Sequence, residues 1–287
     1  MKKFKIKSFC KINLSLRVLK KLSNGYHNIK SLITFCNIYD IVSISSTSGK
    51  KDDISFSGKF KIGINLKSNT ITKVLYQLRK RNFLGKKKFK INIKKNIPQG
   101  AGLGGGSGNA AMLLNFFNKR MNLKINNSQL EKIAIRIGSD VPAYLEKKNT
   151  LITGKNGGLL RINQKFNLNI LIVYPNIVCS TKKIYQNNKI FTSSKPQYKF
   201  SKKNKKELIY YLINEKNDLE NMVVKFYPKV GKIIEVLKSQ KGCLFSRITG
   251  SGSACIGVFS NTEAAILSQK LIKLKFPKYW CALSKTM

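Results

Sequence analysis

The residues best suited to chemistry lie in one ten-residue stretch, Pro98-Gln99-Gly100-Ala101-Gly102-Leu103-Gly104-Gly105-Gly106-Ser107. Five glycines and a serine follow a strand-like run at 89–93 and precede a helix-like run at 109–117. A glycine-rich turn feeding a helix N-terminus lets backbone N–H groups close around a phosphate, and the helix dipole adds partial positive charge there. Glycine is needed because a Cβ would block close approach and because such turns use positive φ. The spacing fits neither common phosphate motif. Gly-x-x-x-x-Gly-Lys-Ser/Thr requires a lysine where Ser107 stands. A dinucleotide loop, matched as Gly100-x-Gly102-x-x-Gly105, requires an acidic residue about 20 residues on, where the chain reads Lys124-Ile125-Asn126-Asn127. The implied ligand is a nucleoside triphosphate. The plainer alternative, a flexible linker, is opposed by tight flanking between a strand and an apolar helix.

Phosphoryl transfer to an alcohol needs a carboxylate, as base or as hydroxyl-orienting group, and the chain has only 12 acidic residues. Asp140 is the first candidate. It stands in Gly138-Ser139-Asp140-Val141-Pro142, where the chain is expected to turn because Pro142 disfavours a helical Val141. Local sequence fits a capping aspartate equally well. Asp40 is the second carboxylate and reads as a strand-turn residue. Lys11 interrupts a strand face of Ile12, Leu14 and Leu16; taken alone, it reads as solvated. His27, the only histidine, follows Tyr26 in a turn begun by Asn24-Gly25. An aromatic face beside a polar ring edge suits a flat heterocycle, although a lone histidine is more often structural or exposed.

Pro98-x-x-Ala101-Gly102-Leu103-Gly104-Gly105-Gly106-Ser107-x-x-Ala110-Ala111 resembles the phosphate loop of the GHMP kinase superfamily, which includes galactokinase, homoserine kinase and mevalonate kinase. Four further segments are similar in the same order: Cys10-Lys11-Ile12-Asn13-Leu14, Asn24-Gly25-Tyr26-His27, Gly138-Ser139-Asp140-Val141-Pro142 and Thr249-Gly250-Ser251-Gly252-Ser253. The second resembles the signature of members with cytidyl substrates. The resemblance implies an α+β, two-domain fold: an N-terminal ribosomal protein S5 domain 2-like domain over 1–155 and a C-terminal ferredoxin-like α/β sandwich over 156–287. It implies ATP as phosphoryl donor, Mg²⁺ with it, and a cytidyl-methylerythritol acceptor, with another small alcohol as the nearest alternative. Asp140 becomes the catalytic base, with Lys11 beside it holding the carboxylate ionised. Pro98, Gly100 to Ser107 and Gly108 hold the phosphates, and Asn69 and Lys95 occupy positions similar to adenosine-pocket residues. Tyr26 and Tyr185 sandwich the base, His27 meets its polar edge, and Asn13 and Thr181 contact the rest of the acceptor. Two departures stand out. Gly108-Asn109 replaces a serine followed by Asp or Asn, which removes a second loop hydroxyl, and Cys10 replaces alanine.

A formal charge of +43 raises the question of nucleic-acid binding. Yet only seven of the 55 basic residues are arginine, the side chain best suited to clamping phosphate backbones and reading bases. The lysines are spread over the whole chain, a pattern of compositional bias on solvated faces. No specific nucleic-acid partner is expected, and a basic nucleic-acid-binding protein is the alternative from another class. Cys10, Cys36, Cys179, Cys243, Cys255 and Cys281 are scattered, without a Cys-x-x-Cys pair, so reduced thiols and no protein-built metal site are expected. No run of 18 apolar residues and no signal-like N-terminus occur. The expectation is a cytoplasmic protein without a membrane partner, monomeric or homodimeric.

Periodicity supplies the frame. Strands are expected over 4–18, as a pair within 31–46, at 89–93, 168–175 and 254–259. Helices are expected over 69–81, after the glycine loop, over 129–137 with a Ser128/Glu131 capping box, near 206–214, 218–226 and 229–239, and over 262–273. Residues 192–206 read as a polar loop, and the domain boundary falls near 150–165.

Overall fold

The structure is a computed structural model and describes residues 3–153, 158–192 and 204–287. The chain forms two compact units. The first comprises Met1–Cys10, Ile38–Gln99 and Gly104–Lys147; the second comprises Lys11–Asn37, Gly100–Leu103 and Lys148–Met287. The α+β, two-domain architecture holds, but the units interleave rather than meeting at 155/156. Periodicity reports which face of a segment is buried, not which unit buries it.

In the first unit, the end of β3 (His27–Thr47) runs antiparallel to β5 (Lys88–Lys94), with Val42 opposite Ile93 and Ile44 opposite Ile91. Strand β4 (Asp53–Ser57) lies parallel on β5. The sequence of β5, Lys-Phe-Lys-Ile-Asn-Ile-Lys, buries Phe89, Ile91 and Ile93 on one face, as the two-residue strand period requires. Helix α1 (Thr70–Arg79) buries Ile71, Val74, Leu75 and Leu78, and Asn69 caps it. Helix α2 (Gly105–Arg120) packs Phe117 edge-on against Phe89, 4.7 Å between ring centres. Helix α3 (Asn127–Ile137) starts two residues earlier than expected. Asn126, not Ser128, accepts the capping bond from the Gln129 N–H at 2.9 Å, and Gln129 answers the Asn126 N–H. The chain turns at Pro142 as expected, but the turn is a 3-10 helix, Val141–Tyr144, that takes in Val141. Its proline occupies the first turn, where a missing N–H costs nothing.

In the second unit, β2 (Arg17–Lys21) pairs antiparallel with the start of β3, Val18 opposite Ile29 and Lys21 opposite His27. Strands β6 (Asn149–Thr153) and β7 (Gly158–Ile162) continue from Ser31–Ile33 of β3. A separate antiparallel sheet runs β11 (Trp280–Lys285), β8 (Asn169–Tyr174), β10 (Cys255–Phe259), β9 (Cys243–Ile248). Every residue of β8 is buried. Leu171, Val173, Val230, Ile233, Leu237, Phe259 and Ile272 form part of this unit's core. Helices α4 (Thr181–Asn187), α5 (Lys205–Ile213), α6 (Glu220–Phe226), α7 (Pro228–Lys238) and α8 (Thr262–Lys275) complete it.

The expected strand over 4–18 is two, β1 (Phe4–Asn13) and β2, and the expected pair within 31–46 is the single strand β3. Most of the loop expected over 192–206 lies outside the described residues, and its last two residues open α5. Among the described residues no helix is long and apolar enough to cross a membrane.

Candidate phosphoryl-transfer site

The glycine stretch is held in two parts. Within the second unit, the Gly100 carbonyl accepts the Cys179 N–H at 3.2 Å, Ala101 accepts Ala254 N–H at 3.1 Å, and Leu103 accepts Lys11 N–H at 3.1 Å. Ala101 and Leu103 are buried anchors. Gly102 has φ +77°, and a Cβ there would stand 2.1 Å from the Thr249 carbonyl oxygen. The chain turns so tightly here that only glycine fits.

Within the first unit, Gly104 occupies the N-cap of α2 at φ +64° and offers no side chain to the amides of the first turn. Helix N-terminal amides lack partners of their own within the helix, so this uncapped end is a natural seat for a phosphate. A Cβ on Gly104 would lie 1.8 Å from the Tyr144 hydroxyl. The Gly106 carbonyl accepts the Thr70 hydroxyl at 2.9 Å, which ties the loop to the start of α1; Gly106 is exposed and Ser107 half-buried. Pro98 is buried at the loop's entrance. A side chain at Gly108 would meet Ser8 Oγ at 2.8 Å and the Tyr144 ring at 3.0 Å. A hydroxyl-bearing side chain at this position would require Ser8 and Tyr144 to shift.

Behind α2 lies a buried charge network that the sequence did not reveal. Asp40 is fully buried. One of its oxygens accepts the N–H groups of Asn96 and Ile97 at 2.7 and 2.9 Å; the other accepts Lys95 Nζ and Asn109 Nδ2. Four donors on a carboxylate, one of them cationic, are what makes burial of the charge tolerable. Asp40 is thus a structural hub, not a strand-turn residue. Lys95 is correspondingly buried, and its ammonium is directed to Asp40 rather than outward to solvent. Asn69, the other residue assigned to adenosine, uses its whole side-chain amide internally. Oδ1 accepts from Ile71 and Thr72, and Nδ2 donates to the Asn65 and Leu66 carbonyls. Both residues act, as placed, as posts that shape this side of the unit.

Asp140 sits at the N-cap position of the 3-10 turn, half-buried, at φ −85° and ψ −15°. Its carboxylate makes no capping hydrogen bond, which argues against the capping role that local sequence equally allowed.

The second unit carries the remaining residues. Lys11 is 5% exposed and donates to Asn13 Oδ1 at 2.9 Å. Asn13 in turn receives support from both sides: its N–H donates to Thr249 Oγ1, and its Nδ2 to Ser31 Oγ, each at 2.8 Å. Thr181 and Ser251 share a hydroxyl–hydroxyl hydrogen bond of 2.8 Å. Asn217, which no spacing singled out, holds the Gly250 and Ile248 carbonyls at 2.8 and 3.2 Å, fixing the last glycine turn.

Tyr26 is 65% exposed on a turn closed by the Asn24 side chain on the Tyr26 N–H at 3.1 Å. His27 packs against Tyr185, ring centres 5.1 Å apart and tilted 39°. Burial and, to a lesser extent, the Lys21 charge lower the His27 pKa, favouring the neutral ring, which offers one donor and one acceptor nitrogen.

Comparison with known proteins gives the family and the fold. Residues 69–147 match the GHMP kinases N terminal domain and residues 202–278 the GHMP kinases C terminal domain. The chain is 41% identical over 287 residues, all of both chains, to 4-diphosphocytidyl-2-C-methyl-D-erythritol kinase of Pelagibacter ubique (strain HTCC1062). It is 32% identical to the protein of that name from Wolbachia pipientis wMel, covering 98% of this chain and 97% of that one. Its fold is similar to a crystal structure of 4-(cytidine 5'-diphospho)-2C-methyl-D-erythritol kinase, TM-score 0.77 at 21% identity over 98% and 99% of the two chains. It is also similar to Methanococcus jannaschii mevalonate kinase, TM-score 0.68 at 18% identity over 100% and 99%.

Proposed function

This chain belongs to the GHMP kinases, and on that premise we propose that it transfers the γ-phosphoryl group of ATP to the 2-hydroxyl of 4-diphosphocytidyl-2-C-methyl-D-erythritol, a step of non-mevalonate isoprenoid synthesis. The observation that carries the choice of acceptor is the ring cluster of the second unit. An exposed Tyr26 adjoins a partly buried His27 packed on Tyr185, a surface suited to a flat base with a polar edge. Full-length similarity to relatives named for that activity supports the same choice.

Asp140 takes the proton of the accepting hydroxyl as its oxygen bonds to the γ-phosphorus and ADP leaves. Lys11, its ammonium oriented by Asn13, supplies positive charge for the transferring phosphoryl group. The uncapped N-terminus of α2 and the glycine loop hold the phosphates. Among the described residues no group of three histidines, cysteines or carboxylates could hold a metal ion. Mg²⁺ accompanying ATP would be held by the phosphates and water and would neutralise their charge. Asn13 and Thr181 meet the methylerythritol and phosphate parts of the acceptor.

Asp140→Asn tests the assignment of the base. We expect normal folding by circular dichroism and a turnover lower by about 10²–10⁴. Turnover near that of the wild type would remove Asp140 from the mechanism.

A further inference from the structure

Phe191 is a large apolar side chain, 48% exposed, just before the segment outside the described residues. Its ring lies nearly parallel to that of His27, at 10° with 6.4 Å between centres. Together with Tyr185 it makes His27 the member shared by two ring contacts. The backbone next to Phe191 is tied down with unusual care for an exposed segment. The Thr192 N–H donates to the Val18 carbonyl at 2.9 Å, and the Thr192 hydroxyl bonds the Asp218 carboxylate. Asp218 is 3% exposed; the same oxygen accepts the Val18 N–H at 2.9 Å, and its own N–H donates to the Leu16 carbonyl at 2.8 Å. Val18 belongs to β2, which is paired with the beginning of β3, the strand on which His27 stands. Phe191 and His27 therefore hang from one two-stranded ribbon, and a buried carboxylate sets the distance between them.

We propose that Phe191 is a positioning residue for base recognition, clamping the His27 ring jointly with Tyr185, and that the Thr192–Asp218 strap fixes its place. The carboxylate also holds the ribbon through the Val18 N–H and pairs with Lys216 at 3.4 Å, so the Thr192 bond couples Phe191, which buries only about half of its surface, to a post already fixed in the fold. That coupling has a clear use if the ring must meet a planar ligand: a pre-set aromatic wall loses little freedom on binding, and the clamp keeps the polar edge of His27 aimed in one direction. The proposal rests on reading Tyr26, His27 and Tyr185 as the base site.

The single histidine makes the test direct, because the imidazole C2–H of His27 is one resonance in the proton NMR spectrum. CDP is titrated into wild type, Phe191→Ala, Phe191→Tyr and Thr192→Val, and steady-state kinetics are measured with the cytidyl-methylerythritol acceptor. In the wild type the His27 resonance should move with CDP. In Phe191→Ala the midpoint of that titration and the acceptor KM should both rise about tenfold, with kcat and the KM for ATP unchanged; Phe191→Tyr should restore both. Thr192→Val should give the same pattern at about threefold. A His27 resonance that responds to CDP identically in wild type and Phe191→Ala, with equal acceptor KM, overturns the role of Phe191 alone. A wild-type resonance indifferent to CDP overturns the base-site reading and the proposal with it. A fall in kcat with KM unchanged would also contradict it, since a positioning residue of the base site acts on binding.

Discussion

On the proposed assignment, the phosphate side and the acceptor side recognise their ligands by opposite means. Around Gly104 the groups available to a ligand are backbone amides at the start of α2, and the side chains behind them are buried around Asp40, whose carboxylate accepts four donors. On the acceptor side the available groups are side chains themselves, Tyr26 and Phe191 largely exposed and His27 between rings. Backbone recognition depends on a fold and travels with it; the mevalonate kinase that shares this architecture at 18% identity is named for a different alcohol. Side-chain recognition is replaceable without disturbing a core. A site built from exposed side chains can therefore change while the fold stays.

Substitutions can break this contrast in order of severity. Gly104→Ala combines a φ of +64° with a Cβ 1.8 Å from the Tyr144 hydroxyl. Turnover should fall more than about 100-fold with every acceptor, the thermal midpoint should drop, and extra ATP should not rescue it. Asp40→Ala touches no ligand group yet should cost about 3–5 kcal/mol of stability in urea unfolding, because it leaves Lys95 charged and buried without a partner. Tyr26→Ala should do the reverse: an acceptor KM about tenfold higher, with the thermal midpoint and the KM for ATP unchanged.

The smallest effect concerns pH. The folded His27 pKa lies below the ordinary value of 6.5, chiefly through burial. The unfolded chain therefore takes up this proton first, and the stability His27 contributes is present above about pH 6.5 and declines as pH falls below it. His27→Gln should remove that portion of the pH dependence, seen as a smaller difference between unfolding free energies at pH 7.5 and 5.5 than in the wild type. An equal difference in both proteins would place the titration elsewhere.

The contrast also governs what the sequence disclosed. The glycine loop and α2 were legible because close backbone approach admits few residue types, and those types are contiguous. Tyr26-His27 stands out for another reason, as a contiguous aromatic pair that includes the only histidine of the chain. The Asp40–Lys95 pair joins residues 55 apart, and nothing in local spacing links a strand aspartate to one lysine among 48. Phe191 borders a polar stretch and carries no periodic signal, so only its contact with His27 marks it. The capping box of α3 was displaced from Ser128 to Asn126 because two adjacent segments both fit the pattern and only geometry selects between them. Strand β3 was read as two because polar residues interrupt it, and pairing partners on successive stretches keep it whole.

The most direct measurement of the central claim is ATP turnover by the purified protein with 4-diphosphocytidyl-2-C-methyl-D-erythritol, run beside mevalonate, homoserine and galactose. The account predicts phosphorylation of the cytidyl compound alone, dependent on Mg²⁺. Turnover only with one of the other alcohols would contradict the assignment of Tyr26, His27 and Tyr185 to a base site, and no turnover with any of them in folded protein would contradict the kinase reading itself.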